Sequence, residues 1–404
     1  MSTRVIAILV DALRYDWVNE RDTPFIHSLT KHGLKLPLKP ILGYSDAIRA
    51  TIFTGTYPDR HGYWMSVCYS PETSPFKKLT RLSMMDYIPS DFIRRGIKFL
   101  LSSTIIKVLA RPLGYRSLRI YNIPFRVLPR FDMTMRKRMT DPGAFASCQT
   151  LFDTLRSHGM KFAYLDSSRL KRKLLREIAN LDPDTKMVFV YLHYVDEASH
   201  WFGLKSSQLR KSLKLVDGIV RRIACGSSGT LPESTALIVF SDHGMVEERS
   251  RVSLDWLLRR RDFGKDFVAC LDATMIRVWY ERSSAKAGLR RIISEATGFA
   301  LLSKARKKAL GIDFNDRRYG DDIFLAEEGQ IVFPNFFSYV RPRAMHAYDP
   351  ELPSQQGVLV LYGPRNATMS GKECAQLVDI APTVLELLDI PDTSGPGRSL
   401  CSKK

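Results

Sequence analysis

An α/β layer fold is predicted for this chain of 404 residues. Three observations predict it: short apolar runs that stop abruptly at polar or charged residues, an amphipathic helical stretch between two of them, and acidic residues where the runs stop. Parallel strands buried on both faces read as continuous apolar runs rather than as alternations, and they end at the sheet edge. Strand and helix in alternation is the pattern of helices layered on a sheet.

The first run, VIAILV at 5–10, stops at Asp11; the second, MVFVYL at 187–192, precedes Asp196; the third, ALIVF at 236–240, precedes Asp242. Between the second and third, the stretch 209–223 repeats Leu213, Val216, Ile219, Val220 and Ile223 at helical spacing. Ligands of open α/β sheets bind beyond the carboxyl ends of the strands, where these three carboxylates fall. Residues 69–142 are basic and proline-punctuated, and 251–329 repeats the basic helical character. Both read as insertions, which leaves 1–68, 143–250 and 330–404 as a discontinuous core. No internal repeat or low-complexity segment is present, and only Ser402, Lys403 and Lys404 look like a frayed tail.

Lys and Arg outnumber Asp and Glu by 61 to 42, and the net charge of +19 should attract anions: phosphorylated metabolites, nucleic acid or an acidic lipid surface. No specific nucleic-acid motif accompanies it. The six cysteines, Cys68, Cys148, Cys225, Cys270, Cys374 and Cys401, form no CxxC pair. Neither a thiolate zinc site nor a disulfide framework is suggested, and free thiols in a reducing compartment are the simpler reading. The first ten residues leave no room for a signal peptide, and the apolar stretch 97–110 is interrupted by Lys98 and Lys107. A cytoplasmic protein, soluble or peripheral to the membrane, is expected; the oligomeric state is left open.

Asp196 and His200, in YVDEASHWFG, are four apart, so on a helix both leave one face and can share a cation. Asp242 and His243 follow the third run in SDHGM, where Gly244 would permit a tight turn. Each has a plain structural alternative: a chance pair, or an Asx turn capping a helix. Asp11, in ILVDALR, could likewise be a cap, and His346, in RPRAMHAYDP, a packed histidine. As a set, three carboxylates and three imidazoles offer a mixed oxygen and nitrogen environment suited to zinc, manganese or a related ion. Ser45, in LGYSDAIRATIFTGTYPDRHG, needs a base or a metal to act as a nucleophile, and it is otherwise a loop serine. No G-x-S-x-G elbow surrounds it, which disfavours a Ser-His-Asp esterase.

The motifs VDALR, SDAIRATIFTGTYPDRHG, DEASH, SDHGM, MHAYDP and DIAPTVLELLDIP stand in this order. The series resembles the alkaline phosphatase superfamily, most closely its type I phosphodiesterase/nucleotide pyrophosphatase family. The resemblance implies a three-layer α/β/α sandwich with a mostly parallel central sheet and cap insertions. It implies two divalent ions, zinc or alternatively manganese: one held by Asp196, His200 and His346, the other by Asp11, Asp242 and His243 with Ser45 bridging to it. It implies in-line attack by Ser45 on phosphorus, a phosphoseryl intermediate and hydrolysis of that intermediate with net retention. In the nucleotide pyrophosphatase branch the nucleophile is commonly Thr, followed some twenty residues on by an Asn that holds a phosphoryl oxygen. The matching positions here are Ser45 and Ser66, and Arg49 is a candidate replacement, since a guanidinium can grip two phosphoryl oxygens. Ser45, Ala47 and Arg49 also fit the looser sulfatase pattern, but Asp11 is followed by Ala12 where sulfatases pair two acidic residues, and a histidine-rich set suits a transition metal better than calcium.

Of the other histidines, His61 is expected to order its loop and His193 to support the ligands or wall the pocket. His27, His32 and His158 have no supporting context. Specificity is expected from the insertions. The first contains DFIRRGIKFLLSSTIIKVLARPLGYRSLRIY, whose apolar positions either pack on the core as a cap helix or lie on an anionic membrane or lipid-linked substrate. The expected partner is a phosphorylated small molecule or a lipid-linked phosphate, the latter allowing phosphotransfer. A polyanion-binding protein without catalysis is the alternative from another class.

Overall fold

Seven strands form the main sheet: β1 (Arg4–Val10), β2 (Leu34–Lys39), β3 (Phe162–Asp166), β4 (Met187–Leu192), β5 (Thr235–Phe240), β6 (Gly357–Tyr362) and β7 (Ala375–Gln376), in the spatial order β7-β2-β6-β5-β1-β4-β3. The computed structural model describes residues 3–110, 121–167, 171–226, 229–363, 367–369, 371–391 and 395–403. β1 pairs in parallel with β4 and with β5; β6 alone is antiparallel to its neighbours. The register sets Val10 beside Leu192 and Leu9 beside Phe240, so the chain leaves all three strands at one edge. The three runs expected to be buried strands are β1, β4 and β5.

Alternate residues of β1 serve opposite faces, as the two-residue period of a strand requires. Val5, Ala7 and Leu9 join a core with Ile48 and Phe53 of α2 (Ser45–Thr54), Phe152 of α3 (Leu151–Ser157) and Val384 of α7 (Ile380–Leu387). Ile6, Ile8 and Val10 join another with Ile26 of α1 (Pro24–Leu29), Leu174 of α4 (Lys171–Ala179), Val195 of α5 (Tyr194–Phe202) and the apolar stripe of α6 (Ser207–Cys225). The result is the three-layer α/β/α sandwich. Each fully buried large apolar side chain contributes about 1.5–3 kcal/mol, which makes these two cores the main source of stability. α1 is capped from a distance: Thr23 gives it no side-chain cap, while the Asp217 carboxylate of α6 accepts from Ile26 N at 2.9 Å and Phe25 N at 3.1 Å.

The chain divides into two compact units, one of Met1–Gly62, Met139–Glu247 and Asp349–Lys404, the other of Tyr63–Arg138 and Glu248–Tyr348. The second is larger than the two expected insertions. The strand Val67–Tyr69 pairs with Phe131–Met133, and Gln330–Val332 pairs with Ser250–Val252, which draws residues 63–68 and 330–348 into it. The stretch read as basic and helical, 251–329, instead carries an antiparallel sheet in the order Phe267–Leu271, Met275–Tyr280, Asp322–Leu325, Ala300–Leu301, alongside the helix Ala285–Thr297. Arg277 disguised the second of these strands: it is fully buried, with Nε 2.7 Å and Nη2 3.2 Å from the two Asp272 oxygens.

In the helix Asp91–Ala110 of this unit, the first two and a half turns depart from the expected cap helix with its apolar face inward: Phe92, Ile93, Phe99 and Leu100 are exposed and Arg95 and Lys98 are buried. Residues 111–120 of the quoted stretch lie outside the described residues. The expected frayed tail is in part a strand, Cys401–Lys403 pairing with Ala367–Met369; Lys404 is outside the described residues. Among the described residues no helix is long and apolar enough to cross a membrane.

Candidate active site

Asp11 is the first residue after β1 and is buried. β5 is followed by Ser241 and then by Asp242 and His243, both buried. Ser45 opens α2, beside the positive end of that helix. Asp11 Oδ1 lies 3.1 Å from His243 Nε2, and Ser45 Oγ lies 3.2 Å from the same nitrogen and 3.5 Å from Asp11 Oδ1. Asp196 and His200 stand one turn apart on α5, with His200 Nε2 3.1 Å from Asp196 Oδ1.

Two features show that the first of these groups suits a cation. His243 Nδ1 is 2.8 Å from the Gly244 carbonyl, which can only accept, so Nδ1 carries a proton and Nε2 is the nitrogen that faces the Asp11 carboxylate. Two facing acceptors repel unless a proton or a metal lies between them. The Asp242 carboxylate accepts at Oδ1 from Ala12 N at 3.2 Å and His243 N at 3.1 Å, while its Oδ2 is buried with no hydrogen-bond partner. Ligand atoms of Asp11, Asp242 and His243 all lie within 4.8 Å of one another. An imidazole fixed by a backbone carbonyl beside two carboxylates is a donor set for a divalent metal ion.

Electrostatics point the same way. Burial and the Asp11 charge push the Asp242 carboxyl up to about 8. Burial opposes a charge on His243, but Asp242 and Asp11 outweigh it and hold the imidazole at about 10. The buried group thus carries more negative charge than the protein compensates, and it retains protons where a cation would serve.

Arg49 is on α2, its guanidinium bonded to Asp46 and 4.6 Å from the Tyr191 ring centroid. Burial disfavours its charge, but Asp46, Tyr191 and Asp11 raise its pKa. Tyr191 OH donates to Asp11 Oδ2. Sequence reasoning missed Tyr191, whose signal was a hydroxyl in an otherwise apolar strand, one residue before its end. It also missed Ala12, held at φ 62° so that its N–H meets Asp242, a conformation costing a non-glycine residue about 1–2 kcal/mol. Gly244 proves necessary for a reason other than a tight turn: a Cβ there would lie 2.1 Å from the Ser354 carbonyl oxygen.

His61 is buried, its Nε2 3.1 Å from Thr51 Oγ1 on α2 and its ring edge-on to Phe145. His193 is held by Ser167, at 2.7 Å, and by Glu197, at 3.5 Å, which makes it part of the α5 entry rather than of the ligand group. Ser66 and His346 belong to the second unit: Ser66 precedes the strand Val67–Tyr69, and His346 directly follows the strand Ala344–Met345.

A serine on a helix N-terminus, beside carboxylates and an imidazole at the carboxyl edge of a mostly parallel sheet, defines the class: an alkaline phosphatase superfamily hydrolase. Within that class the chain belongs to the type I phosphodiesterase/nucleotide pyrophosphatase family, whose model matches residues 5–315. The match spans Asp11, Ser45, Asp196, His200, Asp242 and His243 and stops before His346. Similar solved structures include mouse ectonucleotide pyrophosphatase/phosphodiesterase 5, on its own and as an inactive variant in complex with AMP. Each has a TM-score of 0.70 at 15% identity over 99% of this chain and 100% of that one. The human counterpart gives 0.69 at 16%, covering 98% and 97%. At such identity the likeness is one of fold. Comparison of the sequence with curated proteins finds no match.

Proposed function

We propose that this protein is a phosphodiesterase that works through a phosphoseryl intermediate at a two-metal site. The observation that carries the reading is the buried Asp242 Oδ2 without a hydrogen-bond donor, together with His243 Nε2 facing Asp11 Oδ1 beside Ser45. Asp11, Asp242 and His243 would hold one ion next to Ser45. Asp196 and His200 would hold the other, with His346 as their third member by the family pattern. When bound, divalent zinc or manganese supplies positive charge that lowers the pKa of a serine hydroxyl and offsets the charge building on the phosphoryl and leaving oxygens.

The protein's own groups supply the rest. Ser45 Oγ attacks phosphorus, the bond to the leaving alcohol or phosphate breaks, and water then hydrolyses the phosphoseryl ester. The dipole of α2 favours negative charge at Ser45 throughout. Tyr191 orients the Asp11 carboxylate, and Arg49, stacked on Tyr191, adds positive charge for the phosphoryl group. Ser66 is assigned to phosphoryl contact from its place in the motif order. A cytoplasmic location is proposed from the scattered placing of the six cysteines in the sequence, with no CxxC pair.

The test is metal analysis of the purified protein joined to a panel of chromogenic phosphate monoesters, diesters and sulfate esters. Diester preference with two bound transition metals per chain is expected. Ser45→Ala should retain its metals and lose at least about 10³-fold in kcat. Full activity in Ser45→Ala would remove the nucleophile, and a sulfate preference with formylglycine at position 45 would replace the reading with a sulfatase.

A further inference from the structure

The segment 92–101 of the helix Asp91–Ala110 is inverted relative to an ordinary surface helix, which turns its apolar stripe inward. Phe92 and Phe99 are one heptad apart, as are Ile93 and Leu100, so the four share one face. That face is open to solvent, Phe92 at 87%. Lys98 lies across the helix from this face and Arg95 borders it, and both are turned inward, at 5% and 8% exposed.

Hydrogen bonds to backbone carbonyls fix this rotation. Lys98 Nζ donates to Ile123 O at 2.8 Å and to Asn122 O at 3.2 Å, Arg95 Nη1 to Ser338 O at 2.5 Å, and Arg94 Nη1 to Ile88 O at 2.7 Å. Turning the helix about its axis to bury the rings would break all of these. The apolar face is therefore presented outward by design of its polar side.

The patch is wider than the helix. The Tyr339 ring meets Phe99 edge-on at 5.6 Å, with exposed Val340 next in the chain. The preceding segment Lys77–Tyr87 exposes Met84 and Tyr87 and, on the same segment, Lys77, Lys78 and Arg81. Charge is just as unevenly divided. The second unit holds 34 Lys and Arg against 17 Asp and Glu, whereas the first holds 27 against 25.

We propose that this face is a docking surface for a bilayer containing anionic phospholipid. The phenyl, isobutyl and sec-butyl groups enter the boundary between headgroups and acyl chains, and the exposed Lys77, Lys78 and Arg81 of the preceding segment add attraction to the anionic headgroups. Charge complementarity selects this occupant. A second copy of the chain would bring one strongly basic unit against another. A nucleic-acid strand needs cations between the stacking rings, but Arg95 and Lys98, the cations nearest these rings in sequence, are buried. The inference does not depend on the catalytic reading, because its assay needs no turnover.

The experiment is vesicle sedimentation of the full chain, comparing phosphatidylcholine with a mixture of phosphatidylcholine and phosphatidylglycerol. Binding to the mixed vesicles is expected, weakening with salt and at least about tenfold weaker on neutral vesicles. Phe92→Ser with Leu100→Ser should lower binding at least about tenfold, and Phe92→Leu should leave it near the parent value. Circular dichroism of the double variant should be unchanged, since both side chains are exposed. No binding to either vesicle, equal binding to both, or parent-level binding by the double variant would overturn the proposal. So would displacement of the vesicles by a single-stranded oligonucleotide, or a dimer in sedimentation equilibrium that the double variant dissolves.

Discussion

His61 makes the fold sensitive to acid in a way that can be calculated. Burial pushes its pKa down to about 3 from 6.5, and it stays neutral against Thr51 on the helix that Ser45 opens. Below the unfolded value the unfolded chain takes up a proton at this position and the folded chain does not. The contribution of His61 is therefore fully present above the unfolded pKa and is lost as pH falls toward the folded one. Between about pH 7 and about pH 5 this single group should remove about 2 kcal/mol, with a slope approaching 1.4 kcal/mol per pH unit at the lower end. Urea denaturation of the parent and of His61→Gln at a series of pH values measures it. The variant begins less stable by a constant amount, from the lost packing on Phe145, but its curve should fall less steeply with acid by that same 2 kcal/mol or so. Parallel curves would refute the claim that His61 is buried in its neutral form.

Tyr191→Phe removes the hydroxyl that donates to Asp11 while keeping the ring beneath Arg49; metal affinity measured by equilibrium dialysis should fall roughly 10-fold to 100-fold, with the fold intact. Arg277→Met leaves Asp272 buried without its partner in the sheet of the second unit, and stability in denaturant should drop by about 3–5 kcal/mol. Arg277→Met with Asp272→Leu should recover much of that loss, because a matched apolar pair needs no countercharge.

Much of the nucleotide pyrophosphatase-like core was legible because its signals are local. A strand buried on both faces must be apolar throughout, which marked β1, β4 and β5, and the stripe of α6 repeats at the helical period. The candidate ligands could be picked out because carboxylates at the ends of such strands are costly without a purpose. What stayed hidden depends on pairs distant in the chain. Ala12 donates to Asp242 from 230 residues away, and Asp217 caps α1 from 191 residues away. Nothing near either residue signals its partner. The strand Met275–Tyr280 was obscured by an arginine whose countercharge lies five residues before it. For the helix Asp91–Ala110, periodicity established that there are two faces and could not say which one meets water, because that choice was made by carbonyls at 122, 123 and 338.

The antiparallel β6 has a consequence for how this molecule comes into being. It lies between β2 and β5 in the sheet, yet it is built from residues 357–362, more than three hundred positions after β2. Until the ribosome has delivered those residues, β2 has no hydrogen-bonded route to the rest of the sheet, and β5 ends in an open edge. At about 5–20 residues per second this interval lasts from some fifteen seconds to about a minute. The helix that begins at Ser45 does not wait for β6: Ile48 and Phe53 pack on β1, Phe189 of β4 and Phe152 of α3, all of which are synthesised earlier. Nascent chains of this protein should pass through a stage in which the strands that carry Asp11 and Asp242 are already made while the β5 edge is still open to pairing with another chain.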